Sequence, residues 1–132
     1  MILLAMCLQL PAQSWETITV GSGIRKTYTY IPVNVEKSPA LVISLHGLNQ
    51  DPEYQQKQTQ WNAMADKEGF IVTYPLGNNK MWDTSGTGDV KFVETVIKEM
   101  INQHHVDRNR IYLSGFSMGS WLGYHCLETL GD

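Results

Sequence analysis

Cysteine is nearly absent from these 132 residues: only Cys7 and Cys126 occur, too few for a disulfide-stapled scaffold. Long apolar runs are missing as well. Without about 18 such residues in a row, no helix can span a membrane. Basic residues are sparse and scattered, with Arg25-Lys26 and Arg108/Arg110 the only dense pairs and a net charge of −3, which excludes a nucleic-acid footprint. No G-x-x-x-x-G-K-[ST] loop is present to cradle a phosphate. His104 and His105 are neighbours at a helix end and do not share a face, so they make no zinc pair. No metal and no organic cofactor is implied.

What remains is an ordinary globular composition. The length allows one domain at most, and 42 % hydrophobic residues supply a core for a chain able to bury roughly 65–70 % of its unfolded surface. The amino terminus stands apart. Ile2 to Leu10 is almost wholly apolar and leads through Pro11 to Ala12-Gln13-Ser14, the pattern of a secretory core with a small-x-small cleavage site. Residues 1–14 are therefore expected to be a signal peptide and 15–132 the domain. The basic segment that should precede such a core is missing, since no Lys or Arg occurs before Arg25. An ordinary first strand or packed helix is the alternative. Cleavage would leave Cys126 alone, so export, whether secreted or periplasmic, comes without an internal disulfide.

The rest of the chain alternates strand and helix signals. Trp15–Val20 and Lys26–Ile31 are rich in β-formers and flank Gly21-Ser22-Gly23, the mark of an antiparallel hairpin. Ala40–Leu45 is an apolar run interrupted by Ser44 alone, as expected of a strand covered on both faces. One helix is predicted from Gln56 to Glu68, with Trp61, Met64 and Ala65 on one side and Gly69 after its end. Phe70–Tyr74 reads as the next buried strand. Asp89 is expected to cap a helix whose Val93, Val96, Ile97, Met100 and Ile101 follow the 3.6 period. Strand 110–114 and a helix from Met118 to about Leu130 finish the chain. A hairpin followed by βα repeats predicts an α/β fold: a parallel sheet with antiparallel edge strands and helices on both faces.

The chemistry is concentrated in Gly115-Phe116-Ser117-Met118-Gly119. A serine between glycines, after a strand and before a helix, reads as a nucleophile elbow. Gly115 and Gly119 leave room where strand and helix crowd together. The unpaired amides of the following helix face the place where an oxyanion would form. His46-Gly47-Leu48 follows strand 40–45, where the other half of an oxyanion hole belongs. The two donors would be the backbone N–H groups of Leu48 and Met118. Loss of one such donor typically costs about 2.7–4 kcal/mol of transition-state stabilisation. His46 is read as ordering this loop by hydrogen bonding rather than as a base. His104 and His105 lie at the start of strand 110–114, about 20 Å from the serine beyond its end. His125 is about 12 Å along the last helix. None of them reaches the Ser117 hydroxyl.

Leu45–Gln50, Tyr74–Gly77, Trp82, Asp89–Val93 and Val106–Gly119 occur in this order. Together they resemble the amino-terminal half of the polyhydroxybutyrate-depolymerase-like esterases, α/β-hydrolases that include the acetyl xylan and feruloyl esterases of carbohydrate esterase family 1. The resemblance covers most of residues 25–130. It implies an incomplete α/β-hydrolase fold, Ser117 as nucleophile, Leu48 and Met118 as oxyanion donors, and Trp82 at the border of an acyl or sugar site. The implied substrates are acetyl or feruloyl esters on plant-wall xylan, with hydroxyalkanoate polymers as second choice. That family's acid and histidine lie further along than residue 132, so this chain alone is expected to be inactive. Strand 110–114 would then present an unpaired apolar edge, inviting association. The alternative is a non-catalytic α/β module that binds an ester or glycan or pairs with another chain.

Overall fold

A computed structural model describes residues 10–131 of the chain. Its elements run β1 (Ala12–Val20), β2 (Gly23–Ile31), β3 (Leu41–Leu45), α1 (Pro52–Thr59), α2 (Trp61–Glu68), β4 (Ile71–Pro75), α3 (Gly88–His104), β5 (Ile111–Gly115) and α4 (Met118–Leu130). The five strands form one sheet in the order β1-β2-β4-β3-β5. β1 pairs antiparallel with β2, and β2 antiparallel with β4. The pairings of β3 with β4 and with β5 are parallel. The expected mixed sheet is therefore present, with the hairpin on one side and β5 on the other.

The hairpin turns through Gly21 and Ser22, with Gly21 at φ 59, a conformation that favours glycine at the first central position of a two-residue turn. β3 is buried throughout. Alternate side chains serve opposite faces, as the pleat requires. Leu41, Ile43 and Leu45 join Val93, Val96, Met100 and Leu122 of α3 and α4 in one core. Val42 joins Val72, Tyr74 and Ala65 in the other, with Trp61 of α2 packed against them. Helices thus cover both faces. Polar groups inside the sheet satisfy one another: the Thr73 hydroxyl bonds those of Thr27 and Thr29, at 2.5 and 2.8 Å.

Three details differ from expectation. The single helix predicted over 56–68 is two helices, broken at Gln60, which takes a left-handed φ of 59. Asp51 caps α1 by accepting the Tyr54 amide at 2.9 Å, and Pro52 occupies the first turn. These are start signals that place α1 four residues before the predicted Gln56. The break turns Trp61 edge-on to Phe70, with ring centroids 6.2 Å apart, and leaves Met64 exposed. Second, Thr87 rather than Asp89 is the cap of α3. Asp89 instead accepts the Asp83 amide at 2.6 Å and pairs with Arg25 at 2.8 Å, and that guanidinium lies 4.0 Å above the Phe92 ring. Third, β1 begins at Ala12 and pairs Ala12, Gln13 and Ser14 with β2, so a cut after Ser14 would remove paired strand residues. Residues 1–9, with Cys7 and most of the signal-like segment, lie outside the described residues.

Candidate active site

β3 and β5 run level: Ser44 pairs with Ser114 and Leu45 with Gly115. The loops leaving them therefore meet at one end of the sheet. On the β5 side, Ser117 is exposed and sits at φ 52, ψ −117, a backbone region that non-glycine residues occupy at a cost of order 1–3 kcal/mol. The flanking glycines have no such φ. Their role is space. A Cβ on Gly115 would lie 2.6 Å from the carbonyl of Gly119, and one on Gly119 would lie 2.6 Å from His46 O and closer still to Leu45 O. The turn is pinned by the Phe116 amide on Leu45 O at 3.1 Å and by Ser120 Oγ on Gly115 O at 2.8 Å.

The loop after β3 is held from several sides. His46 is fully buried. Its Nδ1–H donates to Gly47 O at 2.7 Å, while Nε2 accepts the Gly77 amide at 3.0 Å. That pattern defines one neutral tautomer. Burial holds the ring below the usual histidine range, opposed by the Gly47 carbonyl. With both nitrogens engaged, His46 ties the loop to Gly77 and has no free nitrogen to act as a base. Gln50 Oε1 accepts the Gly47 amide at 2.9 Å, and Asn49, in a left-handed φ of 60, donates to Lys80 O at 2.9 Å.

Trp82 requires a correction. It is only 4 % exposed, its Nε1 donates to His46 O at 2.7 Å, and its ring lies 4.7 Å from the imidazole. It braces the loop from inside and offers no open face to a ligand. Amides are left without acceptors at this end of the sheet, that of Ser117 among them. Those of Leu48 and Met118 donate to no protein acceptor among the described residues, and they are the pair anticipated for an oxyanion. The remaining histidines are engaged elsewhere or remote. His104 Nε2 meets Glu16 Oε1 at 2.6 Å, and His125 Nε2 meets Gly86 O at 2.7 Å. His105 follows α3, before β5 begins. No cluster of metal-ligating side chains occurs among the described residues. Cys126 is buried and free, its thiol pushed up to about 11 by burial, so it is no competing nucleophile.

Residues 27–127 match the family model described as esterase PHB depolymerase. The chain belongs to that esterase family. It is 43 % identical over 114 residues to a bifunctional acetylxylan esterase/xylanase of Neocallimastix patriciarum, covering 85 % of this chain and 17 % of that protein. Acetylxylan esterase A of Emericella nidulans is 28 % identical over 105 residues, covering 72 % of this chain and 34 % of the relative. Among solved structures, an acetyl xylan esterase from Aspergillus awamori superposes with a TM-score of 0.77 at 19 % identity, over 89 % of this chain and 47 % of that one. The fold is that of an α/β-hydrolase in part, and the chain spans about a sixth to a third of the curated relatives just named.

Several supporting residues carry weak sequence signals. Gln50 and Gln55 look like ordinary helix-start polar residues, although Gln55 is buried and donates to Ser44 Oγ at 3.0 Å. Asn49 is the exception, because asparagine tolerates the left-handed region better than most residues.

Proposed function

We propose that the complete protein carrying this chain is a serine carboxylic-ester hydrolase with Ser117 as its nucleophile. One observation supports this reading above the rest: an exposed serine in a strained turn, beside two loops that each leave an amide undonated. Ser117 Oγ would attack the ester carbonyl while a histidine takes its proton. The carbonyl oxygen, now anionic, would be held by the Leu48 and Met118 amides. Collapse expels the alcohol, which takes that proton, and leaves an acyl-serine. Water, deprotonated by the same histidine, then releases the acid.

The histidine and its acid are assigned to sequence beyond residue 132. His46, His104 and His125 are each engaged, and His105 is about a strand's length away, five residues at about 3.3 Å each. This chain alone would then lack turnover. Acetyl or feruloyl esters on xylan are the proposed substrates, supported by the names of the relatives. Export is proposed with them, on the signal-like residues 1–14 and because xylan is an extracellular polymer. No described helix is long and apolar enough to cross a membrane.

The test is p-nitrophenyl acetate turnover by the full-length protein. Ser117→Ala should lower it by at least about a thousandfold, with the fold intact by circular dichroism. Activity that survives the substitution would overturn the assignment.

A further inference from the structure

Beside the elbow lies a groove of about 230 Å³ lined by Gln50, Tyr54, Gln55, Gln58, Thr59 and Phe116. Resting on the esterase reading above, we infer that it seats a neutral sugar ring of the substrate, on the alcohol side of the ester. Its composition carries the inference. Two aromatic residues, Tyr54 and Phe116, are about half exposed. They provide apolar surface for the C–H faces of a pyranose. Three glutamines and a threonine supply both donors and acceptors, the few polar groups that fix orientation in a small-molecule site.

None of the six residues is charged, which disfavours phosphate or carboxylate ligands and fits hydroxyl groups. Gln55 adds a built element. The residue is 2 % exposed, one Nε2–H is given to Ser44 Oγ, and its amide oxygen accepts from no described residue. That oxygen is not sealed from solvent, so it stands open to a hydroxyl of the ligand. The size also discriminates, because pockets that enclose drug-sized ligands run to about 300–1,000 Å³, whereas this one suits a single ring.

Location makes the groove part of the reaction rather than a remote binding patch. Phe116 immediately precedes Ser117, and its ring edge would lie 3.0 Å from a Cβ on Gly47. Gln50 holds the Gly47 amide. A ring resting here touches both arms of the candidate active site.

The test uses the full-length protein and its Tyr54→Ala and Gln58→Ala variants, assayed on acetylated xylo-oligosaccharide and on p-nitrophenyl acetate. Each variant should lose about tenfold more kcat/KM on the sugar ester than on the aryl ester, mainly through KM. Equal losses on both substrates would overturn the inference. So would an altered preference among p-nitrophenyl acetate, butyrate and ferulate, which would assign the groove to the acyl group. Xylotriose titration followed by NMR provides the separate arm: shifts at Tyr54 and Gln58, weakened in the variants, are expected whether or not Ser117 proves catalytic. Absence of such shifts up to millimolar sugar would also overturn the inference, while loss of serine dependence alone would strike only the esterase reading.

Discussion

Two turns leave the sheet at the same end and are built on opposite plans. The loop after β3 is held by its neighbours: His46 is clasped by Gly47 and Gly77, its carbonyl is taken by Trp82, and Gln50 secures the Gly47 amide. The turn after β5 is held in a costly conformation at one exposed residue, Ser117. One arm is bonded from several sides and, apart from Asn49 at its left-handed φ, relaxed. The other stores strain in the residue that would react. A hydrolase needs both, since amides aimed at a developing charge must not reorganise, while a nucleophile must stand clear of its own backbone.

The sharpest way to break this arrangement is to push the arms apart. Gly119→Ala places a methyl against the Leu45 and His46 carbonyls. Backbone atoms there cannot yield, so a loss of more than about 3 kcal/mol is expected, read by urea denaturation. Trp82→Phe is the next largest. The smaller phenyl keeps an aromatic face but leaves the buried His46 carbonyl without its donor, and about 1–3 kcal/mol should be lost. Esterase activity should fall as well, because the loop carrying Leu48 loses its brace.

A third change should work in the opposite direction. Ser117→Gly relieves the unfavourable φ, whereas Ser117→Ala retains it. The glycine variant should be the more stable of the two by about 1 kcal/mol, with esterase activity expected from neither. Equal melting midpoints would mean that the elbow stores no strain.

The smallest effect is a pH dependence of the relaxed arm. Burial lowers the His46 pKa below its ordinary value, so the unfolded chain binds the proton more readily than the folded one. The contribution of neutral His46 is complete above the unfolded value of about 6.5 and declines as pH falls below it. Between pH 8 and 5, the parent chain should lose more stability than His46→Asn, whose side chain does not titrate. Parallel losses would remove His46 as the source.

Much of this was legible in the sequence, and what was not has identifiable causes. Gly115 and Gly119 could be read because close backbone approach admits only glycine, and β3 because burial on two faces leaves Ser44 as its one polar side chain. Trp82 was misplaced because an aromatic in a Gly- and Asn-rich loop looks the same whether it faces a ligand or supports a buried carbonyl. The helix break at Gln60 was hidden because no glycine or proline marks it. Asp89 looked like a cap, yet its carboxylate is claimed by Arg25 from 64 residues away, a contact no local window contains. The strain at Ser117 is implied by the motif but carried by the serine itself, where side-chain identity leaves no trace of φ.

The strand order has a bearing on synthesis. β4 lies between β2 and β3, so the hairpin, complete at Ile31, has no neighbour to dock against until Pro75 has been made. Those 44 intervening residues take about 2–9 s to translate at 5–20 residues per second. Through that interval Tyr28 has only Trp15 stacked on it, and Tyr30 waits for Val72, its partner across the sheet.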